Sequence, residues 1–186
     1  MAQDYRQASR DIWDQMAAGW DDDRRWIWDA SRPVGEWLVD ALDPQPGETI
    51  LELAAGVGDT GLAAKANLWA SVPAAALAEH TGQEPPDPHA PGIFAMASEE
   101  RTRELLTEAG LTPRRVEHVE MEWSFRTPDD HWRYVMDLAG ALAMVVRSLP
   151  EDEQAAVRRL TEQRLEPMVR RPGYGLGGVC LNVLAG

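Results

Sequence analysis

The residues of this chain best placed to do chemistry lie at positions 50–61, where the sequence reads ILELAAGVGDTG. A short apolar run with strand composition, residues 49–54, leads into Gly56-x-Gly58-x-x-Gly61, and a helical pattern follows. Three glycines after a strand permit a tight turn and a close approach of backbone to ligand, while the first N–H groups of the next helix stay free for an anion. Glu52 interrupts the apolar run. A strand buried on both faces is normally apolar throughout, and a carboxylate inside it needs backbone N–H groups or a cationic ligand, because an unpaired buried charge is costly. Glu52 therefore weighs against a plain dinucleotide-binding turn. A tight turn with no ligand is the other reading, and the glycine spacing alone does not separate the two.

Other residues offer weaker chemistry. His131, next to Asp129 and Asp130, is a candidate general base for an acceptor hydroxyl; the plainer alternative is a surface histidine at a helix start. His80, His89, His118 and His131 have no metal-ligand spacing and Cys180 is far from all of them, so no metal is expected. Asp21, Asp22 and Asp23 read as a solvated acidic run before a helix rather than a cation site. Trp13, Trp20, Trp26 and Trp28 could line an aromatic pocket, but at helical spacing they read more readily as core.

The elements that must position these residues follow from periodicity and punctuation. Helical patterns cover residues 4–18 and 24–42, the second with Pro33 inside it. Residues 61–80 are helical in pattern, but Pro73 predicts a break. A proline-rich connector occupies 81–92. Ser98 is an N-cap and Gly110 a stop for the next helix. Residues 114–126 alternate, with Val119, Met121, Trp123 and Phe125 on one face. Thr127-Pro128-Asp129-Asp130 starts a helix, whose body, 132–146, is apolar enough to be deeply buried or to lie at a subunit contact. A further helix covers 150–169, and 174–184 is a glycine-interrupted strand.

At 186 residues the chain suits one domain. Its 44% apolar content without a membrane-length apolar run implies a soluble protein with no membrane partner. A formal charge of −13 argues against a nucleic-acid partner, which would need a basic face. The charged amino terminus has no secretory signal, and the single cysteine fits a reducing cytoplasm. Cys180 itself reads as a small buried strand residue.

Residues 50–61 resemble the first motif of the class I S-adenosylmethionine-dependent methyltransferases, apolar-apolar-acid-apolar-x-x-Gly-x-Gly. Glu52 stands at the family's acid and Gly56 and Gly58 at its glycines. The likeness extends back over the helices from Trp13 to Leu42. It extends forward from Asn67, where NLWASVPAAALAEHTG, ERTRELLTEAGLTPRRVEHVEMEW and GYGLGGVCLNVLAG are similar to the carboxy-terminal third of small-molecule methyltransferases, including their last antiparallel strand pair. The resemblance implies that Glu52, Gly56, Gly58, Asp59 and Gly61 hold S-adenosylmethionine, and that the methyl acceptor is a small molecule.

The family's middle strands and helices, on the order of a hundred residues, have no counterpart between Gly61 and Asn67. Lys65, the only lysine, falls in this joint, which implies an internally deleted or engineered chain spliced near residues 64–66. The family's ribose-binding acid lies about 20 residues past the glycines. Only Glu79 is near that spacing, and it falls in a helical pattern, so the role is not carried over. The implied architecture is α/β: a reduced Rossmann-like methyltransferase fold in one domain, 1–186, with a small mixed sheet of about three strands flanked by about six helices. Strand 49–54 could then pair with 174–184, or two chains could associate to cover the exposed sheet edge, and a homo-oligomer is favoured. Function is expected to be methyl transfer to a small molecule, or else a non-catalytic remnant that folds and self-associates without cofactor.

Overall fold

In the computed structural model, which describes residues 2–47, 67–82, 98–169 and 174–186, the capping residues set the element boundaries. The Ser98 hydroxyl accepts from the Arg101 N–H, and α4 (Glu99–Glu108) ends before Gly110, whose φ of 81° suits a residue without Cβ. The Thr127 hydroxyl accepts from the Asp130 N–H at 3.1 Å, and Pro128 opens α5 (Pro128–Leu138) with Asp129 and Asp130 in its first turn. The other elements are α1 (Ala2–Asp22), α2 (Arg24–Leu42), α3 (Leu68–Thr81), β1 (Pro113–Phe125), α6 (Gly140–Ser148), α7 (Glu151–Leu165) with a 3₁₀ turn at Glu166–Met168, and β2 (Tyr174–Ala185).

Among the described residues the protein is thus mostly helical, with seven α-helices and one antiparallel pair, β1 with β2. The α/β class holds in that coarse sense. The sheet has two strands here rather than three, and the predicted strand 49–54 lies outside the described residues. The helix expected over 132–146 is two helices: Gly140 takes φ 42°, a left-handed conformation that stops α5 and lets α6 start in a new direction.

The chain divides into two compact units. The first comprises Met1–Trp26, Trp69–Pro85 and Ser124–Gly175. In it α1 packs on α5 and α6, and α6 on α7. Its core joins Ala76 and Leu77 of α3 to Val146 and Val157, with Trp132, Met136, Leu142, Leu149 and Leu160 packed around them. Contrary to the predicted break, α3 runs through Pro73. Proline has no N–H, so the carbonyl four residues back, on Trp69, loses its helical donor. His131 Nε2 lies 3.0 Å from that oxygen and replaces the donor from outside the helix.

The second unit comprises Ile27–Leu68, Pro86–Trp123 and Leu176–Gly186. Pro33 interrupts the bonding of α2 in the same way, but its i−4 residue, Asp29, is exposed, so water can serve the carbonyl. Asp43 ends this helix in a left-handed conformation (φ 44°), with its N–H returned to the Val39 carbonyl at 3.0 Å. The alternation of β1 buries Met121 and Trp123 and exposes Glu120 and Glu122. Thr112 and Gly186 exchange both backbone hydrogen bonds, each 3.2 Å, which fixes the strand register at that end.

Two buried amides tie this unit together. Asn67, fully buried, donates Nδ2 to the Val179 carbonyl at 2.8 Å, and Asn182 donates Nδ2 to the Val34 carbonyl at 3.2 Å. Gly178 makes room for the first: a Cβ there would sit 2.5 Å from Asn67 Oδ1 and 3.1 Å from Trp123 Nε1. Gly178→Ala should therefore destabilise the protein by ~1–3 kcal/mol. Gly35→Ala, in α2 with open space around the new methyl, should stabilise it by up to ~1 kcal/mol. Urea unfolding monitored by tryptophan fluorescence checks both, and equal effects at the two sites would refute the close approach.

Candidate functional site

The glycine-loop residues Glu52, Gly56, Gly58, Asp59 and Gly61, and Lys65 of the proposed joint, lie outside the described residues. Glu79, the acid nearest the ribose-binding spacing, sits in α3, and its carboxylate pairs with Arg164 of α7. It ties two helices of the first unit together.

His131 is neither a surface residue nor open to solvent: it is 1% exposed. The first turn of α5 turns its ring inward, where Nε2 meets the Trp69 carbonyl and the Phe125 ring stands edge-on at 5.0 Å. A carbonyl oxygen only accepts, so Nε2 carries a proton in this contact. Burial holds its pKa down to about 4, with the bond to Trp69 and the charge of Glu162 opposing that shift.

Beside it lies a polar and aromatic cluster of the first unit. Trp26 stacks on Tyr134 with ring centroids 3.9 Å apart and planes 4° from parallel, and its Nε1 donates to the Ser124 carbonyl. Arg133 lies over the Tyr134 ring at 4.2 Å and donates to both Asp23 oxygens at 3.0 and 3.2 Å. The Arg133 guanidinium is also 3.6 Å from Asp137, and Arg147 reaches Asp137 at 3.7 Å. Burial raises the Asp23 pKa, which the hydrogen bond and charge of Arg133 partly offset. The acidic run is thus not uniformly solvated: Asp21 and Asp22 are exposed, whereas Asp23 is buried and paired.

The tryptophans divide in the same way. Trp26 is part of the cluster, the rings of Trp13 and Trp20 lie 5.8 Å apart, and Trp13 and Trp28 are half exposed, at 50% and 58%. Cys180 is buried in β2, as its composition and setting predicted. His80 is 3.6 Å from Glu153, His118 is exposed on β1, and His89 lies outside the described residues. Among the described residues no three His, Cys, Asp or Glu side chains converge as metal ligands.

Sequence reasoning missed the amides of Asn67 and Asn182, the Asp23–Arg133 pair and the role of His131. A lone asparagine or histidine has no periodic signature, and its partner in each case is a backbone carbonyl or side chain at least 60 residues away. No family model, curated protein or solved structure is significantly similar to this chain.

Arg133→Met leaves the Asp23 carboxylate without its cation. The raised pKa of Asp23 should rise further, and because such a carboxyl favours the folded state only when protonated, the loss should be greatest at neutral pH and shrink in acid. Equilibrium unfolding should show a deficit of ~1–2 kcal/mol at pH 7 that narrows by pH 4; a deficit unchanged with pH would refute the coupling.

Proposed function

We propose that this chain is a reduced class I S-adenosylmethionine-dependent methyltransferase, whose residues 52–61 hold the amino-acid portion of the donor for transfer to a small-molecule acceptor. One observation carries the reading: an acid, Glu52, in an otherwise apolar run four residues before Gly56-x-Gly58-x-x-Gly61. An acid at that place sets the pattern apart from a dinucleotide turn, where the strand is apolar throughout. Glycines there allow the backbone to approach the donor, and correct positioning of donor against acceptor is the main contribution such an enzyme makes. The antiparallel pairing of β1 with β2 supports the same likeness, because the family closes with such a pair.

The donor's ribose has no partner of the expected kind among the described residues. Glu79, the nearest in spacing, is engaged by Arg164 within the first unit, so the ribose role is not assigned to it. The second reading is a non-catalytic remnant that folds and self-associates without cofactor. Self-association belongs to both readings, since the exposed Trp13, Trp28 and Val39 leave apolar surface for a second copy to cover. A reducing cytoplasmic setting is consistent with the lone, buried Cys180.

Calorimetric titration with S-adenosylmethionine, S-adenosylhomocysteine and NAD separates the readings. The enzyme reading expects saturable binding of the first two, weakened about tenfold or more by Glu52→Ala. Heat from NAD alone would point to a dinucleotide protein, and silence with all three supports the remnant.

A further inference from the structure

The helix α3 is interrupted chemically but not geometrically, and a titratable ring on another helix fills the interruption. Pro73 is buried, and so is Trp69, whose carbonyl it leaves without a helical donor. The Nε2–H of His131 reaches that oxygen at 3.0 Å and supplies a donor where the proline has none. The same contact joins α3 to α5, where Ala76 and Leu77 also pack against Trp132 and Met136.

A second proton on the imidazole would leave the Nε2–H bond in place but add a full charge inside an apolar enclosure. The surroundings offer little to stabilise that charge. From α3 the ring meets a neutral carbonyl, and from β1 the edge of Phe125, itself backed by Tyr174 of β2 at 5.9 Å. From α7 it faces Glu162, whose carboxylate already accepts from Arg158 at 2.8 Å. On its own helix, Asp129 pairs with Arg158, and Asp130 is 3.4 Å from Arg126.

We propose that the His131–Trp69 contact is an acid-operated latch: at neutral pH the uncharged ring completes the proline-interrupted helix and holds α3 on α5, and protonation of the ring expels it and releases α3. The direction follows from linkage. Burial holds the folded-state pKa down to about 4, below the ordinary value of 6.5, so the unfolded or released chain takes up the proton first. The latch is fully closed above about pH 6.5 and weakens as pH falls towards 4. Between pH 7.5 and 4.5 this one group should lower the closed-to-open ratio roughly 50- to 100-fold.

The test compares the full chain with His131→Gln, whose amide N–H can reach the same carbonyl but does not titrate. Urea unfolding and hydrogen exchange of the α3 amides, measured from pH 7.5 to 4.5, should show the variant losing at least tenfold less stability and protection over this range. A pH dependence identical to that of the wild type would overturn the latch, because every carboxylate is retained in both proteins. Pro73→Ala provides a second test: it returns a backbone N–H to the Trp69 carbonyl, so His131→Leu should cost at least tenfold less in that background than in the wild type, and an equal cost would overturn the latch. If the glutamine variant does not fold, the wild-type imidazole can be titrated by NMR. A midpoint below pH 5.5 with the proton on Nε2 supports the proposal, and a midpoint of 5.5 or above overturns it.

Discussion

One carbonyl oxygen constrains the first unit more than any other group. A proline in a helix interior costs about 3 kcal/mol or more through its ring clash and lost hydrogen bond, and leaving the Trp69 oxygen buried and unpaired would add about 1–3 kcal/mol. The packing of α3 against α5 meets that second cost with the His131 ring. The Thr127 cap fixes where α5 begins, and so which turn carries position 131 inward. Glu79 with Arg164, and Asp129 with Arg158, then tie α7 to α3 and α5. Pro33 in α2 shows the contrast: Asp29 is exposed, so water can serve its carbonyl. The same residue type, in the same helical position relative to its orphaned acceptor, has different consequences because one acceptor belongs to an exposed residue and the other to a buried one.

Signals that act within a few residues were legible in the sequence. Ser98, Thr127-Pro128 and Gly110 marked helix ends correctly, because capping is a contact over three or four positions. The alternation of β1 placed Met121, Trp123 and Phe125 inward, because a strand's period of two survives in most contexts. Pro73 misled because the donor that rescues its helix lies 62 residues away. The 132–146 pattern misled because apolar periodicity does not record a backbone turn, and Gly140 bends the chain without breaking the composition. His131 was visible as a residue that could do chemistry, but not as one already committed to a carbonyl.

The proposed methyltransferase reading rests on Glu52 and the glycines after it, and on the resemblance read in the segments from Asn67 onward. The described residues bear on it through the strand pair and through Glu79, and these pull in opposite directions. The pair fits the family's closing strands, whereas the acid nearest the ribose position is turned to holding helices together.

Gly178 and Asn67 share one small volume in the second unit: the glycine lacks a side chain, and the asparagine oxygen stands where one would begin. Neither position can therefore vary independently. A larger residue at 178 would meet not only Asn67 but also Trp123 and Met121, at 3.1 and 3.2 Å, and a shorter residue at 67 leaves the Val179 carbonyl to find another donor. The two positions are thus coupled through shared space rather than through a role in catalysis.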